Sequence, residues 1–340
     1  MPFITDFVPA LTGQTSSSPE VRKLSSLPTR LGGLNIVNPV EMSEWQFKAS
    51  QTMTVPAKKM IVEQSEKFAK LQLQLIKSNL HREKSQAIDA KVDQLKQDLS
   101  DSLQGAMNLA SEKGASTWLT TLPLQERGFN LNKQEFCDAL CLRYGWQLKN
   151  LPSPCVCGSS FSIYHAMICS HGGLTITRYN EIRDITANCL SEVCTNVERE
   201  PMLLPLMGEN IVPLSNRRDD ARADIRAMGF WGRRQCSFFD IRVFHPDAQS
   251  YHHSSIQSLY RQHELTKRRG YGDRIREIEN GSFTSLVFAT TGGMGQEATS
   301  FYKRLADVIA DKENTTYSKT MAWIRCTLSF SLLCSAVTCI

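Results

Sequence analysis

Two aspartates within strand-like sequence are the residues best suited to chemistry in this chain. Asp224 and Asp240 lie in two short apolar runs separated by a turn rich in Gly and Arg. This pattern predicts a β-hairpin over residues 222–243. Either aspartate alone is best explained by local hydrogen bonding or by exposure. Because a carboxylate is unfavourable in a strand and costly to bury, the pair favours a site for a divalent cation.

Basic residues surround the two aspartates in the sequence. They are Arg217, Arg218, Arg222, Arg226, Arg233, Arg234, Arg242, Lys267, Arg268, Arg269, Arg274 and Arg276. The chain as a whole is only mildly basic, with a net charge of +5 and a pI near 8.6. A run of charge is usually a solvated face, but a basic cluster that encloses an acidic pair fits a polyanion-binding site better.

A second group of residues predicts a zinc site. Cys155, Cys157, His165 and Cys169 supply three thiols and one imidazole, between a Pro-rich entry and a Gly pair. Four such ligands form a closed tetrahedral shell, which is typical of structural zinc. A loop this short has little core, so metal binding would supply its folding energy, on the order of 10 kcal/mol. His171 is an alternative to either of the two later ligands.

The composition is that of a globular protein. The 340 residues are 41% hydrophobic and 21% charged, which predicts two or three structural units. Eleven cysteines are an odd count and the N-terminus lacks a signal peptide, so we expect a reducing compartment, nuclear or cytoplasmic. Arg325 interrupts the apolar tail, which predicts a buried helix over residues 321–340 rather than a membrane span. The tail has no cap or polar end, which predicts a truncated terminus.

The first 150 residues divide into a short irregular segment and a longer helical region. Residues 1–30 are rich in Ser, Thr and Pro and are predicted to be loop or disordered. Helical sequence fills most of residues 31–150, and Pro56 is placed to begin a long helix that runs to about residue 113. Its apolar residues recur every three or four positions: Ile88, Val92, Leu95, Leu99, Leu103, Met107 and Ala110. Packing against neighbouring helices explains such a stripe more often than a coiled coil or a partner-binding face.

A short helix is predicted over residues 133–144, with Asn132 as its N-cap and Glu135 three residues later. Cys137 and Cys141 lie on one face of this helix. Since no His or Cys lies nearby to complete a metal site, we interpret both as small buried hydrophobic residues.

The second half of the chain alternates helices and strands. A helix is predicted over residues 177–194, with Ile182 and Leu190 inward and Arg178 outward. An extended run over residues 197–206 leads into the hairpin. A basic helix over residues 254–279 and a buried strand over residues 285–290 follow. The Gly-rich residues 290–296 lack the final Gly-Lys-Ser/Thr of a phosphate loop and predict a strand-to-helix turn. The fold class is therefore α+β or α/β.

This order of elements, with its acidic hairpin and nearby lysine, resembles the restriction-like endonuclease of the PD-(D/E)XK type. Such a domain occurs at the C-terminus of some LINE-type (non-LTR) retrotransposon polyproteins, where a zinc knuckle precedes it. Here the knuckle would be residues 151–175, with CVCG and HAMIC, and the nuclease residues 176–340, with RADI and FFDIRV. The segments LPTRLGGLNIVNP, FTSLVFATTGGMG and WIRCTLSFSLL also resemble that polyprotein. The resemblance covers most of the chain from Leu27 onward.

The sequence departs from the pattern of that family at several positions. Ala223 replaces the usual Pro, although Asp224 keeps the carboxylate. Arg242 stands where the simple motif has Lys, and Lys267 on the following helix matches the displaced Lys of the retrotransposon branch. Tyr179 stands where related elements often have His. The resemblance does not choose between two further acidic ligands, Glu181 and Glu200.

The resemblance implies a Mg²⁺-dependent endodeoxyribonuclease that acts on DNA, with RNA left open and no membrane involved. Asp224 and Asp240 would hold Mg²⁺, Lys267 would orient water or stabilise the transition state, and Tyr271 would position one of these groups. A set of arginines would neutralise flanking phosphates: Arg217, Arg218, Arg233, Arg234, Arg268 and Arg269. The polymerase of such a polyprotein is missing, which predicts a fragment, a decayed copy or a separately expressed remnant.

Two other functions compete with this prediction. The first is a zinc-stabilised nucleic-acid-binding module whose nuclease has decayed, and the second is a helical interaction protein that uses residues 57–113. The first alternative shares zinc and salt-sensitive DNA binding with the nuclease. It differs in lacking Mg²⁺-dependent nicking.

Overall fold

The chain has an α+β fold of two compact units, Met1–Ser111 and Glu112–Ile340. The computed structural model describes residues 9, 18–63, 66–148, 151–205, 222–247, 251 and 254–340. A four-stranded sheet lies in the second unit. Residues 112–148 also belong to the second unit, whereas the sequence groups them with the helical region before them.

Helices make up the described part of the first unit. They are α1 (Pro19–Ser26), α2 (Pro39–Glu63), α3 (Glu66–Asp98) and α4 (Asp101–Ala110), with a 3₁₀ turn at Thr29–Leu31. Of the predicted stripe, Val92, Leu95, Leu99, Met107 and Ala110 are buried. The chain breaks within that stripe, because the Ser100 side chain accepts a hydrogen bond from Leu103 N and begins a new helix.

Two predictions for this unit are wrong. The segment 1–30 is not all loop: α1 forms because Ser18 caps it, Pro19 fits the first turn, and Val21 and Leu24 are buried. Residues 1–8 and 10–17 lie outside the described residues. Pro56 does not begin a helix but lies inside α2, where its ring is buried. Because proline has no N–H, the carbonyl of Thr52 lacks its helical hydrogen bond, and Thr52 is exposed to solvent.

The second unit begins with short helices and ends with long ones around the sheet. Its elements are α5 (Thr117–Thr120), a 3₁₀ turn (Gln125–Arg127), α6 (Lys133–Tyr144), α7 (Ile163–Ile168), α8 (Leu174–Val193), β1 (Thr195–Arg199), β2 (Ile225–Met228), β3 (Cys236–Phe244), α9 (Ile256–Glu277), β4 (Ser282–Ala289), α10 (Gln296–Glu313) and α11 (Tyr317–Thr338). The capping box of α6 is present as predicted, because Asn132 Oδ1 accepts from Glu135 N and Glu135 Oε2 accepts from Asn132 N.

The sheet has the strand order β1-β2-β3-β4. The first three strands are antiparallel, and α9 connects β3 to its parallel neighbour β4. Ile225 pairs with Phe239, and Asp240 pairs with Ser285. The resulting order, helix-strand-strand-strand-helix-strand from α8 to β4, matches the order predicted from the sequence.

Alternation along β3 decides which face each of its side chains occupies. Phe239 and Ile241 enter the main core, which they share with residues of α8, α10 and α11. Phe238 and Phe244 instead join two smaller clusters that contain residues of α9. By the same alternation, Asp240 lies on the α9 side of the sheet.

Two further predictions concern α11 and the Gly-rich turn. Helix α11 is long and apolar enough to cross a membrane, but half of its most apolar stretch is buried, and Ile324 and Leu328 belong to the main core.

The Gly-rich segment is the predicted turn between β4 and α10. A Cβ on Gly293 would lie 2.1 Å from Glu112 Oε2 and 2.4 Å from Tyr260 Oη, so a larger residue there would displace the ends of those two side chains.

Candidate metal centres

The four predicted zinc ligands converge. The Sγ atoms of Cys155, Cys157 and Cys169 and a ring nitrogen of His165 all lie within 4.8 Å of one another. The Cys155 and Cys169 sulfurs are 3.8 Å apart, which matches the roughly 3.8 Å expected for two thiolates on one tetrahedral zinc. Cys157 Sγ lies 3.2 Å from His165 Nε2. His171 is not part of the cluster, so the geometry selects Cys169 as the fourth ligand.

Local hydrogen bonds shape the loop that carries these ligands. Gly158 adopts a left-handed conformation (φ +85°), and its N–H donates to Cys155 O at 2.8 Å, which closes a tight turn between the first two cysteines. Cys155 N donates to Ser159 O at 2.8 Å. Hydrogen bonds from Ser159 lower the pKa of Cys157 to about 6, which favours the thiolate that zinc binds. The donor set and its spacing therefore fit zinc.

A small apolar cluster holds this knuckle in the second unit. Ala166 and Met167 of α7 pack against Ala336 and Cys339 at the end of the chain. Arg178 of α8 was predicted to face solvent but is only 3% exposed. Its guanidinium donates to Met167 O at 3.3 Å and to Cys339 Sγ at 2.9 Å. The prediction failed because the knuckle covers this face of α8, which helical periodicity alone cannot reveal.

The Asp224 carboxylate is held on both of its oxygens. Oδ1 accepts a hydrogen bond from the Tyr179 hydroxyl of α8, and Oδ2 accepts one from Ile241 N of β3. The main chain of Asp224 is bonded as well: its N–H donates to Phe239 O, and its carbonyl accepts from Glu200 N. Asp224 is therefore fixed beside the residue that follows Asp240.

Asp240 is paired with the predicted lysine. Lys267 Nζ of α9 lies 2.7 Å from Asp240 Oδ2. Asp240 is 1% exposed, and among the described residues Lys267 is the one group paired with its Oδ2. On the neighbouring strand, the Ser285 hydroxyl is also buried without a hydrogen-bond partner in the described part of the chain. Buried oxygens in this state are suited to bind a cation or water.

Electrostatics couple the three groups. Burial, and secondly the charge of Asp240, raise the pKa of Asp224 to about 7. Burial also raises the pKa of Asp240, although Lys267 opposes it. Burial disfavours the Lys267 ammonium, but Asp240 outweighs burial and raises the pKa of Lys267. Both carboxyls resist ionisation, and a divalent cation bound between them would stabilise their ionised forms.

Tyr271, one turn after Lys267 on α9, lies beside that lysine. Lys267 Nζ is 5.6 Å from the centre of the Tyr271 ring, within reach of a cation–π contact. Tyr271 also contacts Phe283 of β4 in a tilted arrangement, with the ring centres 6.1 Å apart. This packing limits where the Lys267 ammonium can move.

The two further acidic candidates have different surroundings. Glu181 Oε2 accepts from Ser331 Oγ of α11 at 3.0 Å, so Glu181 is engaged with that helix. The Glu200 carboxylate is paired with Arg183, but the Glu200 main chain is next to Asp224. Of the two, Glu200 is bonded to Asp224, but through its main chain and not through its carboxylate.

The predicted phosphate-binding arginines are spread over the second unit. Arg233 and Arg234 are exposed in the turn between β2 and β3. Arg268 and Arg269 are exposed on α9, and Arg268 donates to Glu297 Oε1 at 2.5 Å. Arg217 and Arg218 lie outside the described residues.

Sequence reasoning missed the contribution of Tyr179. The resemblance marked this position only as a departure, whereas the structure directs its hydroxyl at Asp224. No pattern within α8 signals this contact, because it depends on packing against a distant segment of the chain. A scan against models of known protein families and a search of curated proteins both find no match to this chain.

Proposed function

We propose that this chain is a metal-dependent DNA endonuclease of the restriction-like type, derived from a LINE-type retrotransposon polyprotein. The observation that carries the proposal is the group of Asp224, Asp240 and Lys267, in which two buried aspartates lie with a partly exposed lysine of α9. Burial of an acidic pair beside one lysine lowers the stability of a core. The same arrangement can bind a divalent cation and so catalyse phosphodiester hydrolysis.

Two features support Mg²⁺ as the cation. The donors are carboxylate oxygens, which hard divalent cations prefer, and Asp240 Oδ2 is buried with no donor but Lys267 among the described residues. Asp224 and Asp240 would hold the ion, and bound Mg²⁺ would supply Lewis-acid activation of water and of the phosphate. The second feature is indirect: the order of elements from α8 to β4 is the order on which the resemblance to a Mg²⁺-dependent nuclease rests.

The protein groups have separate roles in this proposal. Lys267 carries a positive charge next to Asp240 and would stabilise the negative charge that develops on the phosphate. Tyr271 would restrict the position of Lys267 through the contact with its ring. The zinc knuckle would be structural, because its four ligands leave no open position. Exposed arginines would bind the phosphates of DNA without reading its sequence.

Nicking of supercoiled plasmid by the purified protein tests the proposal. We expect nicking that requires Mg²⁺ and is lost in Asp224→Ala and in Asp240→Ala. Asp273→Ala, which alters an exposed aspartate on α9, is the matched control and should nick normally. Nicking that persists in both core variants would show that the activity comes from a contaminant or from another site.

One observation favours a second candidate, a zinc-stabilised nucleic-acid-binding module with a decayed nuclease. In the described residues, the knuckle is the one cluster of three or more His, Cys, Asp or Glu side chains able to hold a metal. The aspartates thus lack a third acidic ligand in that part of the chain. Zinc content and salt-sensitive DNA binding without any Mg²⁺-dependent nicking would identify this candidate.

A further inference from the structure

A set of contacts, called the brace below, runs from Glu200 through Arg183 to Tyr179 and ends at Asp224. The proposed reaction does not by itself require it. The Tyr179 hydroxyl donates to Asp224 Oδ1. Four residues later, the Arg183 guanidinium carbon lies 5.9 Å from the centre of the Tyr179 ring. Arg183 is paired with the Glu200 carboxylate, and its side chain is only 11% exposed. The three side chains thus form one connected path that ends at the Asp224 carboxylate.

The Glu200 main chain completes the brace. Its N–H donates to Asp224 O at 2.8 Å, and its backbone is left-handed, with φ +53°. A side-chain-bearing residue adopts this conformation at a cost, so surrounding contacts must hold it there. The ion pair with Arg183 is such a contact. Asp224 is therefore held through its carboxylate by Tyr179 and through its carbonyl by Glu200.

The chemistry of Tyr179 suits a permanent donor. The Tyr179 phenol is a neutral hydrogen-bond donor, and its hydroxyl is aimed at Asp224 Oδ1. The phenol on Oδ1, together with Ile241 N on Oδ2, fixes the rotation of the carboxylate, and each oxygen keeps a further lone pair for a cation. Partners of this kind orient metal ligands, and their loss typically lowers metal affinity or activity about 10- to 100-fold.

We propose that Tyr179 is a positioning residue that, braced by Arg183 and Glu200, holds the Asp224 carboxylate in the orientation that binds the catalytic cation. This inference rests on the proposed nuclease function. It predicts a defect in metal affinity and not a general loss of structure.

The test measures Mn²⁺ binding to zinc-loaded protein by calorimetry, without DNA. Tyr179→Phe removes only the hydroxyl and should weaken Mn²⁺ binding about 10- to 100-fold. Tyr302→Phe is the matched control. The Tyr302 hydroxyl is buried and is hydrogen-bonded to Thr186 Oγ1 at 2.7 Å. Thr186 lies on α8, the helix that carries Tyr179, but the Tyr302 hydroxyl is not bonded to Asp224. An equal loss of affinity in both variants would assign the effect to α8 packing and overturn the inference.

A double-mutant cycle adds a readout that a merely structural role would not produce. In the Asp224→Asn background, Tyr179→Phe should cause no further loss of Mn²⁺ affinity, because the oriented carboxylate is already gone. Additive losses would overturn the inference. Plasmid nicking is measured separately. If Mn²⁺ binding depends on Tyr179 but the protein does not nick DNA, the inference stands and the nuclease function is rejected. If the protein nicks DNA but Tyr179→Phe binds Mn²⁺ with unchanged affinity, the nuclease function stands and the inference is rejected.

Discussion

The Lys267 ammonium lies 2.7 Å from an Asp240 carboxylate whose side chain is only 2% exposed. Removal of one partner of a buried ion pair leaves an uncompensated charge. We expect Lys267→Met to lower the free energy of unfolding of the metal-free protein by about 3 kcal/mol, measured by urea denaturation. Mg²⁺ should restore part of the loss, because a cation bound at Asp240 replaces the missing ammonium.

Lys312→Met is the control for that variant. Lys312 pairs with Glu192 at the surface, where both side chains are more than half exposed, so its loss should cost less than about 1 kcal/mol. If the two variants lose the same stability, the Asp240 pair is not a buried one. A normal nicking rate in Lys267→Met would remove this lysine from the proposed mechanism.

Zinc removal should unfold the knuckle without unfolding the sheet. We expect one zinc per chain, and we expect Cys157→Ser or His165→Ala to release it, because each removes one of four ligands. Proteolysis should then cut within residues 155–171 while the core of the second unit stays resistant. Atomic absorption and limited proteolysis measure these two outcomes.

Two variants make the zinc prediction specific. His171→Ala should keep its zinc, because His171 lies outside the cluster. Cys137→Ser, which changes a partly buried cysteine of α6, should also keep it. Zinc loss in His171→Ala would place the fourth ligand at residue 171 and contradict the geometry.

Glu112 should make stability depend on pH. Burial raises its pKa to about 7, and its carboxylate accepts from Tyr260 Oη at 3.0 Å. The folded-state pKa of Glu112 lies above the unfolded value near 4.5, so the folded protein binds this proton more tightly than the unfolded chain. The contribution of the protonated Glu112 to the free energy of unfolding is therefore complete below pH 4.5 and is lost as the pH rises through 7. Glu112→Gln keeps the acceptor but cannot ionise, so it should be more stable than the wild type at pH 8, by on the order of 2 kcal/mol.

The difference in unfolding free energy between variant and wild type, followed from pH 4 to pH 8, checks this expectation. Asp224 titrates in the same range in both proteins and cancels in that difference. Glu126→Gln, at an exposed position, serves as the control. A flat difference between Glu112→Gln and wild type would mean that Glu112 is solvated in the folded protein.

Local signals in the sequence predicted much of this fold. The capping box at Asn132, the hairpin with Asp224 and Asp240, and the zinc spacing each depend on residues close together in the chain, so pattern alone could place them. The burial of Arg178 and the contact of Tyr179 with Asp224 depend on packing between distant segments. No periodicity within one helix carries that information. The usual preference of proline for a first turn also misplaced Pro56, which lies inside α2.

The turn between β2 and β3 offers a test of DNA contact. Arg233 and Arg234 are exposed there, and the start of β3 lies about 13 Å, or four strand residues, from Asp240. Exposed arginines at such a distance would contact phosphates that flank the cut and not the scissile phosphate. We expect replacement of both arginines by serine to reduce the slope of log K against log salt by about 1.8, measured by anisotropy in the Asp240→Asn background.

Arg276→Ser provides the comparison for the turn variant. Arg276 is exposed on α9, but it is paired with Asp273 at 2.8 Å and with Glu277 at 3.2 Å, so its charge is already balanced on the protein. Its replacement should leave the salt slope unchanged. A slope that responds equally to both variants would show that only net charge matters. A slope that ignores Arg233 and Arg234 would place the DNA on another surface of the second unit and withdraw these two residues from the interface.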